Sequence, residues 1–387
     1  MRPLSNPVGF IDMPKTEASH QAHVKSVDRA QAARLLLELL YRVHYIVGMK
    51  VQDTLRTNDG LDRHQTAVLW IIRSEGTDGR SISRKYVEKQ LTSWYDISSS
   101  AISKSIRGLA SKDIGFLNIT ESPNSGREKL IELTPAGVFF MQKMTRNGSA
   151  MCEWYLENMS QWESEVDVCL FIYTKITALF GKMIDAERRD AGEPVAYAAP
   201  QESVLHHPLT HVITEKSYSW DEIPTVPREY VPLMQLNIFF PIHYKAGNKL
   251  ELVMRSGTDL SRQQIIILLL MFGEGENHSK MARKRIEAAL SSWLELTSSS
   301  VSKAIRSLTT REVGLLTIDE SPESGREKTV QLTPKGRKFV SKLVESGVNY
   351  LQTLVDQLGD DELDMVVHIF ERTNAIFDSY PGPFRVG

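Results

Sequence analysis

Cysteine is nearly absent: Cys152 and Cys169 are the only two in 387 residues, and neither belongs to a paired Cys/His spacing. A disulfide framework and a zinc site are therefore not expected. Long apolar runs are missing as well. Stretches such as Leu35–Leu37 and Ile265–Met271 fall far short of the roughly 20 residues that cross a bilayer. The opening segment Met1–Asp12 lacks a charged region followed by an apolar run, so no secretory signal is expected. Neither charge sign dominates, with 46 Lys+Arg against 48 Asp+Glu and a net charge of -2. Any surface for a polyanion must then be a local patch. There is no phosphate loop, nucleophile elbow, HExxH or Cys/His cluster, so no enzymatic chemistry, no cofactor and no metal are expected. What remains is an ordinary globular composition, 41% hydrophobic and 24% charged, suited to a reducing cytoplasm.

What the sequence does contain is a repeat. Trp94 in RKYVEKQLTSW and Trp293 in RKRIEAALSSW lie 199 residues apart, and this offset holds without a gap in both directions. His44-Tyr45 meets His243-Tyr244, and Gly48 meets Gly247. Leu61, Arg63 and Gln65 meet Leu260, Arg262 and Gln264. Downstream, ESPNSGREK (121–129) meets ESPESGREK (320–328), and Phe171 and Thr174 meet Phe370 and Thr373. About half of the positions from 84 to 137 are identical to their partners. This is a duplication. It divides the chain into an N-terminal arm (1–26), a first unit (27–183), a linker rich in Pro, Ala, His and Thr (184–225) and a second unit (226–387).

Apolar spacing in the first unit predicts a long helix over Arg29–Lys50 and a second over Arg63–Arg73. A short amphipathic helix over Arg84–Thr92 follows, with Val87 and Leu91 on its apolar face. Serines at 98–100 can cap the next helix, Ser99–Ala110, because a hydroxyl accepts from orphan N–H groups. That helix turns Ile102, Ile106 and Leu109 inward and leaves Ser100, Ser103, Lys104 and Arg107 outside. Gly115–Ile119 and Leu130–Leu133 read as paired strands around the polar ESPNSGREK tip. Thr134-Pro135 opens another helix, and a further long helix lies near Glu165–Lys182. The fold class expected is mainly α with small β-hairpin wings: two tandem winged helix-turn-helix domains with long flanking helices.

The capped helix, the "GFLNI" and "GLLTI" strands, and wings ending in "SGREKLIELTPAG" and "SGREKTVQLTPKG" resemble the MarR family of bacterial transcriptional regulators. The resemblance covers most of each unit. Two features depart from the pattern: the stretch between Leu91 and the serine cap is longer, and two units share one chain instead of forming a homodimer. The resemblance implies sequence-specific binding of double-stranded DNA, commonly as a repressor, and dimerisation through the flanking helices. It also implies an effector, a small aromatic molecule bound between the dimer helices and the reading heads. Nothing in the sequence identifies that ligand.

Candidate contacts follow. On the recognition helices these are Ser99, Ser100, Ser103, Lys104 and Arg107, matched by Ser298, Ser299, Ser302, Lys303 and Arg306. Such a face suits a major groove, where Ser, Lys and Arg reach phosphates and base edges; in isolation it would be a solvated helix face. Arg127 and Lys129 on one wing, and Arg326 and Lys328 on the other, suit a narrow minor groove, or simply solubilise a loop. Glu128 and Glu327 either orient those arginines or stand exposed. The recognition helices differ at Ala101/Ser300, Ser105/Ala304 and Gly108/Ser307, so unequal half-sites are expected. Trp94 and Trp293 read as packing anchors, His44 and His243 as structural rather than ligating, and both cysteines as core.

The two units are expected to pair within the chain, since a linker of 42 residues reaches about 30–40 Å and tethering raises their effective concentration. A homodimer of chains, a plasmid-type replication initiator and a winged-helix protein-interaction module stay open as alternatives. No membrane contact is expected, and the location expected is the cytoplasmic nucleoid.

Overall fold

The computed structural model describes residues 24–56, 60–94, 98–122, 125–162, 164–191, 214, 216–321 and 324–384. In the first unit α1 (Arg29–Arg42) runs through a π-helical turn, Val43–Val47, directly into α2 (Gly48–Leu55). Then come α3 (Arg63–Glu75), β1 (Ser81–Ser83), α4 (Arg84–Trp94), α5 (Ser99–Leu109), β2 (Leu117–Ser122), β3 (Ser125–Leu133), α6 (Pro135–Met159) and α7 (Glu165–Asp190). The second unit repeats this order: α8 (Val231–Pro241), a π turn at Ile242–Gly247, α9 (Asn248–Arg255), α10 (Arg262–Glu274) and β4 (Lys280–Ala282). It continues with α11 (Arg283–Leu294), α12 (Ser298–Leu308), β5 (Leu316–Ser321), β6 (Ser324–Leu332), α13 (Pro334–Val355) and α14 (Asp360–Asp378).

Local chemistry sets the helix starts. Asp62 and Gln65 form a reciprocal capping box before α3, as Ser261 and Gln264 do before α10. Thr134 and Thr333 each cap a helix that has proline in its first turn. Each wing gains a third strand, which spacing alone did not indicate. β1 pairs antiparallel with β3 in the order β1-β3-β2, and β4 with β6 in the order β4-β6-β5. β1 has three residues and a single buried apolar side chain, Ile82, too little for a period to register.

Packing of the long helices crosses between the units. Helix α1 lies on α13 and α14 of the second unit, and α8 lies on α6 and α7 of the first. The sequence of α8, VPLMQLNIFFP, is apolar on nearly every side, which suits a helix enclosed by neighbours rather than one with a wet face. Helix entries are pinned in the same crossed sense. The Val27 N–H donates to Asp364 Oδ1 (2.7 Å), and the Val226 N–H donates to Asp167 Oδ1 (3.1 Å).

The π turns meet at the crossing. Rings of His44 and His243 stack with centroids 4.7 Å apart. Each Nδ1 donates to the other's carbonyl, at 3.0 and 2.9 Å. A Cβ on Gly48 would lie 1.9 Å from His243 Nδ1, and one on Gly247 2.0 Å from His44 Nδ1. Glycine is therefore required at both positions, because the opposite ring occupies the space a side chain would need.

Parts of the stretch expected as linker, 184–225, are built into the fold. Helix α7 continues through Asp190, and residues 216–230 are docked against the first unit, with Trp220 buried and Arg228 paired to Asp167 at 2.8 Å. Residues 192–213 lie outside the described residues, as do 1–23 of the expected arm. Among the described residues no helix is long and apolar enough to cross a membrane, and no group of three or more His, Cys, Asp or Glu side chains could hold a metal ion.

Candidate nucleic-acid interface

Each reading head is built on a short amphipathic helix. Helix α5 starts at Ser98, whose hydroxyl accepts from the Ala101 N–H at 3.3 Å. Helix α12 starts at Thr297, which accepts from the Ser300 N–H at 3.2 Å. Ile102, Ile106 and Leu109, matched by Val301, Ile305 and Leu308, are buried almost completely. Each such side chain contributes about 1.5–3 kcal/mol of burial, which fixes the rotation of both helices. The outward face then carries Ser99, Ser100, Lys104 and Arg107 in one unit and Ser298, Ser299, Lys303 and Arg306 in the other, all exposed.

Two of the residues expected on that face are not there. Ser103 is half-buried: it accepts from Arg84 Nη2 (2.7 Å) and donates to Glu88 Oε1 (3.1 Å), while Arg84 Nε donates to Glu88 at 2.8 Å. Ser302 is 8% exposed and sits in the matching triad of Arg283 and Glu287. An i,i+4 Arg–Glu pair on α4 or α11 packs over the next helix here, and the serine hydroxyl satisfies both partners. The repetition of Ser103 as Ser302 is thus explained by packing. The repeated R-x-x-x-E spacing at 84/88 and 283/287 was the signal for it in the sequence.

The differences between the recognition helices are also mostly internal. Ser105 and Ala304 are buried. Gly108 faces Gln65, and Ser307 accepts from Gln264 Nε2 at 2.8 Å. Only Ala101/Ser300 lies near the outer face, and the Ser300 hydroxyl is engaged with Thr297 Oγ1 at 3.0 Å. The exposed Ser-Ser/Lys/Arg residues of the two helices are therefore alike, with Ala101/Ser300 the difference nearest to them.

On the wings, Lys129 Nζ donates to Glu121 Oε1 across the hairpin at 2.8 Å, and this cation holds the exposed Glu121 carboxyl below its ordinary range. Lys328 is exposed in register with Glu320. Glu128 is half-buried and accepts from the Ser83 hydroxyl at 2.6 Å. The side chains of Arg127, Arg326 and Glu327 lie outside the described residues, as does that of Trp94. Trp293 is an anchor, stacked on Tyr45 with centroids 5.0 Å apart. Cys152 and Cys169 are fully buried, and burial pushes the Cys169 thiol up to about 12 and that of Cys152 well above the ordinary range.

No curated protein matches the chain. Residues 61–137 and 260–336 each match the family described as winged helix DNA-binding domain, so the chain carries two winged helix-turn-helix domains in tandem.

Proposed function

We propose that this protein is a non-catalytic, sequence-specific regulator of transcription that binds double-stranded DNA through both domains at once. The two units of one chain act as an intrachain pseudo-dimer of MarR type. Helices α5 and α12 enter successive major grooves on one side of the duplex, about one helical turn apart. Lys104, Arg107, Lys303 and Arg306 contact phosphates and base edges, with Ser99, Ser100, Ser298 and Ser299 at the helix starts. Lys129 and Lys328, with Arg127 and Arg326 at the wing tips, follow the backbone toward the minor groove.

The observation that carries this reading is the repetition of one exposed Ser-Ser/Lys/Arg face on two winged-helix recognition helices. Core packing requires none of those side chains, and crossed packing of α1 and α8 supports action of the two units as one body. Fluorescence anisotropy with a labelled duplex, titrated at several salt concentrations, tests the reading. Affinity should fall linearly with salt on logarithmic axes, as counterions are released from several phosphates. Absence of binding at low salt would remove DNA as the partner.

A further inference from the structure

The turn joining α11 to α12 carries the second recognition helix, and it rests on the first unit. Trp293, at the end of α11, stacks on Tyr45 and meets Tyr41 edge-on at 6.3 Å, both on the first unit's long N-terminal helix. Arg63, the first residue of α3 and only 6% exposed, reaches the same turn. Its Nη1 donates to the Trp293 carbonyl at 2.5 Å and its Nη2 to the Ser292 carbonyl. These carbonyls lie at the C-terminal end of α11, where helix oxygens lack intrahelical partners and a cation is favoured. Glu295 follows in the left-handed region, at φ 53. Its carboxylate binds Arg56 Nη1 at 2.5 Å and approaches Arg63 Nε at 3.5 Å. Asp53 completes the set, 3.2 Å from Arg63 Nη2. Two residues past Glu295, Thr297 caps α12.

A planar guanidinium that bridges two carbonyls and a carboxylate fixes direction as well as distance, which a lysine ammonium does not. Burial of the Arg63 guanidinium, 6% exposed, limits the screening of its contacts, while Glu295 stays partly open to solvent at 32%. We propose that Arg63, supported by Arg56, is a positioning residue that reaches from the first unit to fix the turn ahead of α12. It thereby sets the separation between the two recognition helices. The clamp itself stands on geometry alone; its effect on DNA rests on the function proposed above.

Pulsed electron resonance between nitroxides on Ser100→Cys and Ser299→Cys, in the full chain without DNA, reads that separation. Both native thiols are buried and pushed up, so the two introduced cysteines take the label. The parent should give one narrow distance distribution. Arg63→Met should broaden or shift it, and Arg63→Lys should restore it only partly. Glu295→Asn keeps a residue that tolerates the left-handed region while removing the carboxylate, so it tests the clamp even if Arg63→Met fails to fold. A distribution unchanged from the parent in folded Arg63→Met or Glu295→Asn overturns the proposal. In a second arm, duplexes carrying half-sites at varied spacing are ranked by affinity. The parent should prefer one spacing, and Glu295→Asn should lose about tenfold of that preference while its affinity for random DNA is unchanged. If the parent binds no duplex, the DNA reading fails and the distance arm still decides the clamp.

Discussion

On the outer face of α5, Ser99, Ser100, Lys104 and Arg107 are matched one for one by Ser298, Ser299, Lys303 and Arg306 on α12. Where the units touch each other the match holds at the His44/His243 and Gly48/Gly247 crossing but fails around it: Gln52 stands against Glu251, Cys169 against His368, Lys175 against Asn374. The contrast has a physical cause. In a symmetric homodimer every contact residue occurs twice, so one substitution alters both ends of an isologous interface. Two units fused in one chain escape that constraint, and each contact can be satisfied by a different pair. Lys175 and Glu362 form a buried ion pair that occurs once, between α7 and α14. Glu251 takes two hydrogen bonds from Arg262 and one from Tyr45, whereas its counterpart Gln52 donates to His243 Nε2 at 2.9 Å. The outer faces repeat one set of side chains, whereas the inner faces are satisfied against each other.

The largest expected effect comes from the singular ion pair. Glu362→Leu leaves the Lys175 ammonium buried without its carboxylate and should cost about 3–5 kcal/mol, most of it recovered in Lys175→Met/Glu362→Leu. At Asn374, which matches Lys175 in the repeat, Asn374→Ala should cost only about 1 kcal/mol. Urea unfolding of the three variants measures this, and equal losses in Glu362→Leu and Asn374→Ala would contradict the contrast between the two units.

Next come the glycines, where the units should behave alike. Gly48→Ala and Gly247→Ala each push a methyl into the opposite histidine ring and should each lower stability by about 1–3 kcal/mol. A neutral effect at either site would mean that the π turns do not meet as described.

A smaller effect depends on pH. Burial depresses the His44 imidazole, and burial together with His44 depresses His243 well below its ordinary value. Their neighbours are Glu251, Arg262, Arg63 and Gln52. Folded values lie below the unfolded one of about 6.5, so between them the unfolded chain holds more protons and stability rises with pH. The contribution is complete above about pH 6.5 and is lost as pH falls toward the folded values. Burial alone would raise the Glu251 carboxyl, but Arg262 and its hydrogen bonds hold it below the ordinary range, so its contribution persists to lower pH. Urea midpoints at pH 7.5 and 5.5 should therefore differ. Gln52→Glu places a carboxylate beside His243, eases its protonation and should shrink that difference.

The smallest stability effects separate scaffold from surface. Ser103→Ala and Ser302→Ala should each cost about 1 kcal/mol through the Arg–Glu pairs they leave unsatisfied. Lys104→Ala should change thermal stability by no more than about 0.5 kcal/mol and lower the salt slope of DNA binding by about one.

Much of this was legible in the residues. The gapless repeat, the capped helices and the hairpins follow from spacing and from turn chemistry, because those signals are local. The exchange of α1 and α8 between units was not, since an apolar helix such as α8 does not say which neighbours enclose it. The burial of Ser103 and Ser302 left only an indirect trace, the repeated Arg-x-x-x-Glu spacing one helix away. Gly48 and Gly247 matched in sequence, but their reason appears only when the opposite histidine is in place.

Joint use of both recognition helices on one duplex is read by selecting binding sites from a random duplex library with the full chain, Arg107→Ala and Arg306→Ala. The full chain should select two closely similar half-sites about 10 bp apart, with each variant losing dependence on one half. Enrichment of a single half-site by the full chain, or variants that select as the parent does, would contradict joint use.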